Sequence, residues 1–472
     1  MDDKSTKALK SGFWYIFSNL LVRSVTIITT PIFARLLTHE AMGEYSNFHS
    51  WMTIAFIVVT MRVESSFISA KFDFKDRFGV YNRSIIALTA MSVVCWALIV
   101  NLFPGFFMDS MRLSRFYINL ILVYCFFNEM INIFQINERF QYRYTRSVFV
   151  SLVTTFSTAG LAVLLVCLME DRLSGRICGE IIPIVIIGFI ILLGYFRDGR
   201  DIDTKIWPYT LKICLPYVPH LLSLQVLNSI DRIMITRICG PADNALYTIA
   251  YSCGHMVTLL MVAMNNAFSP WLGDNLHNRN YAEIKKVTRY YIGVFAAGAL
   301  GIMLLAPEVL LIMGGRSYME AIYVMPPVAM GCVCQFLYTL YVNVEQFNKK
   351  TVGMAFISVA AALLNFGLNA YFIPKYGYNA AAYTTLAGYL FLMVAHMTMV
   401  KRLKLGDMYD NKFVFALVFV MMLLTVGVNY VYAYPVIRYT IVGAYILVLL
   451  VAMWIKKDLV KKLVGMIVKK TK

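Results

Sequence analysis

Apolar stretches of roughly 20 residues, the length a helix needs to cross a bilayer core, recur fourteen times along this chain between short polar connections. They begin near Gly12, Tyr45, Arg83, Phe116, Tyr144, Gly175, Tyr209, Ala245, Tyr290, Tyr318, Val352, Tyr378, Phe413 and Val436. One of them, Leu215 to Arg237, carries Asp231 and Arg232 side by side. Charges at membrane depth normally face a cavity or a partner. Pro216 and Pro219 near its start predict a bent entry, whose freed backbone groups neighbouring helices must satisfy. The pattern predicts an all-α polytopic membrane protein with about 14 transmembrane helices.

Composition agrees. Apolar residues make up 60% of the 472 and charged residues 15%, with a mean hydropathy of +0.67, well outside the range of soluble domains. The polar opening Met1 to Ser11 runs into an apolar stretch too long for a signal peptide, so the first helix would serve as the targeting segment. The nine cysteines mostly fall inside apolar runs without CxxC or Cys/His spacing, which makes them small core residues and not metal ligands. A net charge of +17 invites a nucleic-acid reading, but its placement argues against one. With a cytoplasmic N-terminus, 31 of the 43 basic residues fall on the inner side, 8 on the outer side and 4 within helices, as the positive-inside rule requires. Both termini are then cytoplasmic.

A short repeat relates the two halves. Arg35-Leu36-Leu37 before Tyr45 returns as Arg237-Ile238-Cys239 before Tyr247, with the same separation. Both copies start from the inside, which predicts parallel six-helix repeats with substrate between them. The expected division is an N-terminal lobe at 1–200 (helices 1–6), a C-terminal lobe at 201–404 (helices 7–12), helices 13–14 at 405–457 and a basic amphipathic tail at 458–472. In that tail Leu459, Leu463 and Ile467 share a stripe with Lys461, Lys462 and Lys469 largely off it, a pattern suited to anionic phospholipid.

Basic side chains at membrane depth are the candidate substrate ligands. Arg23 is expected near the bilayer centre, Arg62 in the inner third of helix 2 and Arg232 in helix 7, whereas Arg35 can snorkel to the outer interface. Guanidinium groups hold phosphates through bidentate, charge-assisted bonds, so Arg23, Arg62 and Arg232 suit an anionic cargo such as a diphosphate. The acids Glu64, Glu129 and Asp231 would couple ion movement or balance the arginines. Glu129 sits among Asn128, Asn132 and Gln135. His255 and His396, alone in apolar runs, read as satisfied core histidines. Asp201-Ile202-Asp203 reads as solvated loop charge, no ATP-binding loop is present, and no connection houses a soluble catalytic domain. The reading is a non-enzyme without cofactor or metal.

The run Asn365 to Thr385 (NFGLNAYFIPKYGYNAAAYTT) resembles the helix 11–12 signature of Wzx-type oligosaccharide-lipid flippases: Asn365, Leu368 and Asn369, then Ile373-Pro374, Gly377, Ala380, Ala381 and Thr384. Asn379 stands where the family usually has Gly. Pro31 to Ser46 is similar to the family's opening, Pro216 with Asp231-Arg232 to its helix 7 and Pro270-Trp271 to its helix 8 end, while Arg62 replaces a common Gly beside Glu64-Ser65. The resemblance implies the fold of the multidrug/oligosaccharidyl-lipid/polysaccharide exporters. It implies alternating-access movement of a polyprenyl-diphosphate-linked oligosaccharide to the outer leaflet of a bacterial cytoplasmic membrane, for O-antigen, capsule or exopolysaccharide. Polysaccharide polymerase and chain-length machinery are implied partners. The rival readings are a lipid-linked peptidoglycan precursor flippase, a multidrug antiporter, whose cavity should be richer in acids, and a membrane scaffold or glycan polymerase subunit.

Overall fold

The computed structural model describes residues 21–455, apart from 23, 75–76, 142, 198, 349–350, 404 and 406–407. Arg23 and the basic tail therefore lie outside the described residues. Every regular element among the described residues is helical. Among the described residues, ten helices are long and apolar enough to cross a membrane, or eleven when the bent pair α9 (Ile206–Cys214) and α10 (Val218–Ile238) counts as one span. The remaining expected positions hold α1 (Ser24–Leu36), α2 (His39–Thr60) and α19 (Pro435–Ile455).

Chain order repeats itself. In the first half α2 is followed by a 3-10 turn (Val63–Ser66), α3 (Phe67–Asp73), α4 (Phe78–Leu102), α5 (Pro104–Met111), α6 (Arg115–Phe140), α7 (Tyr144–Leu168) and α8 (Arg172–Arg197). In the second half α10 leads to α11 (Pro241–His255), α12 (Thr258–His277), α13 (Tyr281–Leu304), α14 (Ala306–Met313), α15 (Met325–Phe347), α16 (Thr351–Tyr376), α17 (Tyr378–Arg402) and α18 (Asn411–Val431). A 202-residue offset carries the start of α2 onto that of α11 (39 to 241), the end of α4 onto that of α13 (102 to 304), and both ends of α5 onto those of α14 (104 to 306, 111 to 313). The arginine–tyrosine repeat has the same offset.

Matched residues also meet. Ser46 Oγ and Thr248 Oγ1, 202 positions apart, are 2.7 Å from each other. A residue touches its own equivalent only on a two-fold axis, so the pseudo-axis passes between α2 and α11. Two reciprocal contacts flank it. Arg35 Nη2 donates to the Ile312 carbonyl at the end of α14 (2.8 Å), and Arg237 reaches Asp109 on α5 (4.0 Å). Packing at the axis leaves no room for a side chain at position 43. A Cβ on Gly43 would lie 1.7 Å from the Pro241 carbonyl oxygen, and that glycine's own carbonyl accepts from Asn244 Nδ2 at 2.9 Å.

Within each half one helix is central: α6 against α2, α4, α7 and α8, and α15 against α11, α13, α17 and α18. A further apolar cluster joins Phe33, Leu37 and Met42 of the first half to Tyr247, Leu310 and Tyr318 of the second. The outward faces are apolar too, with Phe156 and Leu168 on α7, Phe419 on α18 and Trp454 on α19 all more than half exposed. Such faces fit lipid and not water.

Candidate functional site

The expected helix 2 stops short of Arg62. Met61 (φ 52°) and Arg62 (φ 51°) both adopt the left-handed region, which costs a non-glycine residue about 1–2 kcal/mol. The turn swings Glu64 inward. Arg62 Nη2 pairs with Glu64 Oε1 at 2.7 Å, and the guanidinium stacks over Phe56 at 5.5 Å. Glu129, fully buried on α6, faces Glu64 and Asn132. Neither contact has hydrogen-bond geometry: beyond the Arg62 ion pair, the buried oxygens of the two glutamates make no hydrogen bond. Two carboxylates thus share one guanidinium, leaving a negative charge for a proton or cation to neutralise.

The helix-7 charges occupy a different level. Between α9 and α10 the chain bends by 47°, at the Leu215–Tyr217 link that contains Pro216, with Pro219 in the first turn of α10. Asp231 is fully buried, accepting from the Tyr247 hydroxyl through Oδ2 and from the Arg232 backbone N–H through Oδ1. Arg232 Nη1 donates to the Asn228 carbonyl at 2.6 Å, lies 3.8 Å from Asp231 and stacks its guanidinium over Tyr251 at 4.5 Å. With its carboxylate otherwise engaged, Arg232 keeps 15% of its side chain open.

Arg232 acts electrostatically on His49 of α2, as do Arg176 and Glu180 of α8. Arg176 is one of the eight basic residues counted on the outer side. It lies within α8, sandwiched between Phe33 and Tyr45 at 4.1 Å from each ring, and donates to the Tyr45 hydroxyl, which donates to Glu180. His49 and Thr60 are eleven residues apart on α2, about 17 Å at 1.5 Å per residue. Arg62 and Arg232 therefore stand at separate depths, and His49, which both Arg176 and Arg232 act on, lies at the level of Arg232. A contact across α2 and α8 between residues 131 positions apart leaves no local sequence signal, although Tyr45 was singled out by the repeat.

The motif residues link α16 to α17. Asn365 donates to Thr385 (3.3 Å), Asn369 donates to Asn365 (3.2 Å) and Thr384 donates to Asn369, all buried. Pro374 lies in the last turn of α16, and Gly377 makes the turn at φ +67°. His396 is not alone. Its Nδ1 is 3.0 Å from both carboxylate oxygens of Glu345 on α15, an acid the sequence reading passed over. Asp203, expected to be free loop charge, pairs with Arg77 at 3.1 Å.

The model of a family described as "Polysaccharide biosynthesis protein" matches residues 8–276. The chain belongs to this family. A second model, MatE, matches residues 216–371, and together they place the protein in the exporter superfamily expected from its motifs. An "Uncharacterized membrane protein" of Haemophilus influenzae is 20% identical over 373 residues, 76% of this chain and 89% of its own length. Among solved structures, "Lipid II flippase MurJ, inward closed conformation" has a TM-score of 0.68 at 13% identity, covering 94% of this chain and 99% of that one. An inward-facing multidrug resistance MATE family transporter has a TM-score of 0.64 at 14% identity, covering 82% and 95%. The fold is shared with both, and this family member is a multi-pass membrane protein of the transporter type.

Proposed function

We propose that the protein is a flippase carrying a polyprenyl-diphosphate-linked oligosaccharide repeat unit from the inner to the outer leaflet of a bacterial cytoplasmic membrane, for surface polysaccharide. One observation carries this reading: Arg232, at membrane depth on the helix beside the pseudo-axis, has a guanidinium its adjacent carboxylate does not consume. A diphosphate is the ligand such a fork holds best. Arg62, once a bound proton or cation offsets its two carboxylates, and Arg23 would engage cargo at other depths of the same path. The chain would cross fourteen times with both termini inside, as two six-helix lobes that rock about the axis, with helices 13–14 added and the tail on anionic phospholipid. Polymerase and chain-length machinery would receive the product.

Glu64 and Glu129 are the coupling pair in this scheme. They take up a proton or cation when the inner end opens and release it after reorientation, while Asp231 balances Arg232. In cells, replacing Arg232 and Arg62 by Ala should strand the lipid-linked precursor on the inner leaflet. Normal surface polymer with both arginines removed would refute the role. A second reading is favoured by the likeness to a Lipid II flippase structure: rescue of cell-wall synthesis in a strain lacking its own precursor flippase would select it.

A further inference from the structure

A cleft of about 700 Å³ opens between the first turns of α13 and the start of α18, lined by Lys285, Lys286, Arg289, Tyr290, Asp410 and Phe413. Asp410 is the single acid in this wall. It pairs with Arg289 and caps α18 by accepting the Phe413 N–H at 3.2 Å. Partial burial works against its charge, but that N–H, Arg289 and the nearby Lys285 hold its carboxyl below the ordinary range. At neutral pH the wall therefore carries three cations against one anion. Arg289 remains about half exposed while bound to Asp410, and its planar fork has five donors, more than one carboxylate fills. Tyr290 and Phe413 add apolar surface beside these charges, so the lining is amphiphilic.

The matched corner of the first half is closed. The 202-residue offset carries Arg83 onto Lys285, yet Arg83 is buried and donates to the Asp201 carbonyl at 3.2 Å. Arg77 there is taken by Asp203. The same place in the fold has its arginine buried in one half and lysines left open in the other. The cleft lies at the end of the bundle where the chain's basic residues concentrate, the cytoplasmic end in the orientation proposed above.

We propose that this cleft is a binding site for the phosphate headgroup of an anionic lipid in the cytoplasmic leaflet. Basic pockets between membrane helices on that side recognise such headgroups, and the aromatic walls would pack the uppermost part of the acyl chains. The site depends on the membrane orientation and not on what the central path carries. Loss of lipid here with cargo movement intact, or the reverse, separates the two readings.

Native mass spectrometry of the full chain, taken from nanodiscs containing phosphatidylglycerol and phosphatidylcholine, tests it. The wild type should retain phosphatidylglycerol in preference to phosphatidylcholine. Lys285→Gln with Lys286→Gln should weaken retention on the order of tenfold, and an outer variant that also removes two charges, Arg316→Gln with Lys375→Gln, should not. Equal retention by the double variant, or no preference over phosphatidylcholine, overturns the site. Competition arms identify the source. Displacement by polyprenyl diphosphate alone supports a lipid-phosphate site that serves cargo entry, whereas displacement by inorganic phosphate at equal concentration overturns a lipid site. Should the double variant fold poorly, lysine labelling of the wild type gives the answer. Lys285 and Lys286 should be protected in phosphatidylglycerol discs and not in phosphatidylcholine discs, and equal labelling in both overturns the proposal.

Discussion

The two halves share a backbone plan and differ in how they treat buried charge. In the first half, Glu64 and Glu129 crowd one arginine beside two left-handed residues, and beyond that ion pair their oxygens make no hydrogen bond. In the second half, Glu345 and His396 meet at 3.0 Å with almost no exposure and no strained backbone residue nearby. Undersatisfied polar groups are costly in a medium without water. A fold that satisfies one buried charge cluster and leaves another open has reserved the open cluster for something that comes and goes. The matched pair reads as a fixed link between α15 and α17.

The largest effect should come from breaking that link. Glu345→Ala alone should destabilise the protein by about 3–5 kcal/mol, since it strands a buried imidazole, whereas Glu345→Met with His396→Leu should come within about 1 kcal/mol of wild type. Thermal unfolding in detergent measures both. A single variant as stable as wild type would break the contrast.

Next is the axis. Gly43→Ala places a Cβ against the Pro241 carbonyl, and the helices must part, at about 1–3 kcal/mol or more. Its equivalent, Ala245→Gly, opens no clash and should cost about 1 kcal/mol through helix propensity. Similar losses at both positions would deny the axis its tight contact.

Glu129→Gln should give the first half's cluster the satisfied pattern of the Glu345–His396 pair. Its amide can donate to the orphaned Glu64 oxygens, so stability should hold or rise by about 1 kcal/mol, while cargo movement falls and loses its dependence on the ion gradient. Unchanged transport, read from precursor accumulation, would remove the coupling role.

Smallest are the outer turns. Asp171 caps α8, accepting from Ser174 Oγ (2.5 Å) and from the Leu173 and Ser174 N–H groups, and the Ser174 bond leads these in holding its carboxyl below the ordinary range. Its folded value lies below the unfolded one. The cap's contribution is therefore present at neutral pH and fades as pH falls through the folded value. The matching turn before α17 uses Gly377 at φ +67° and has no such carboxylate. Asp171→Ala should cost about 1 kcal/mol at pH 7 and progressively less in acid. Gly377→Ala should cost about 1–3 kcal/mol at every pH. Hydrogen exchange at the two helix starts separates them.

Much of the fold was legible because a bilayer imposes it: segment positions, the bend at Pro216, the turn at Pro374–Gly377 and the 202-residue echo follow from apolar length, proline chemistry and spacing. The site was legible only as residue types. Asp231 and Arg232 are neighbours in sequence, so their pairing was visible. Arg62 was visible as a charge in an apolar run, but its place beyond the end of helix 2 was not, because nothing local foretells two left-handed residues in a row. Glu345 and His396 are 51 positions apart, and Arg176 and Tyr45 are 131 apart. Such partners are chosen by tertiary packing, which a single chain does not spell out.

The Ser46–Thr248 contact has a historical consequence. In a symmetric dimer of a single six-helix ancestor, that contact would have been one residue meeting its own copy, and every change there would have counted twice. In one chain the two positions are free to differ, and they are serine on one side and threonine on the other.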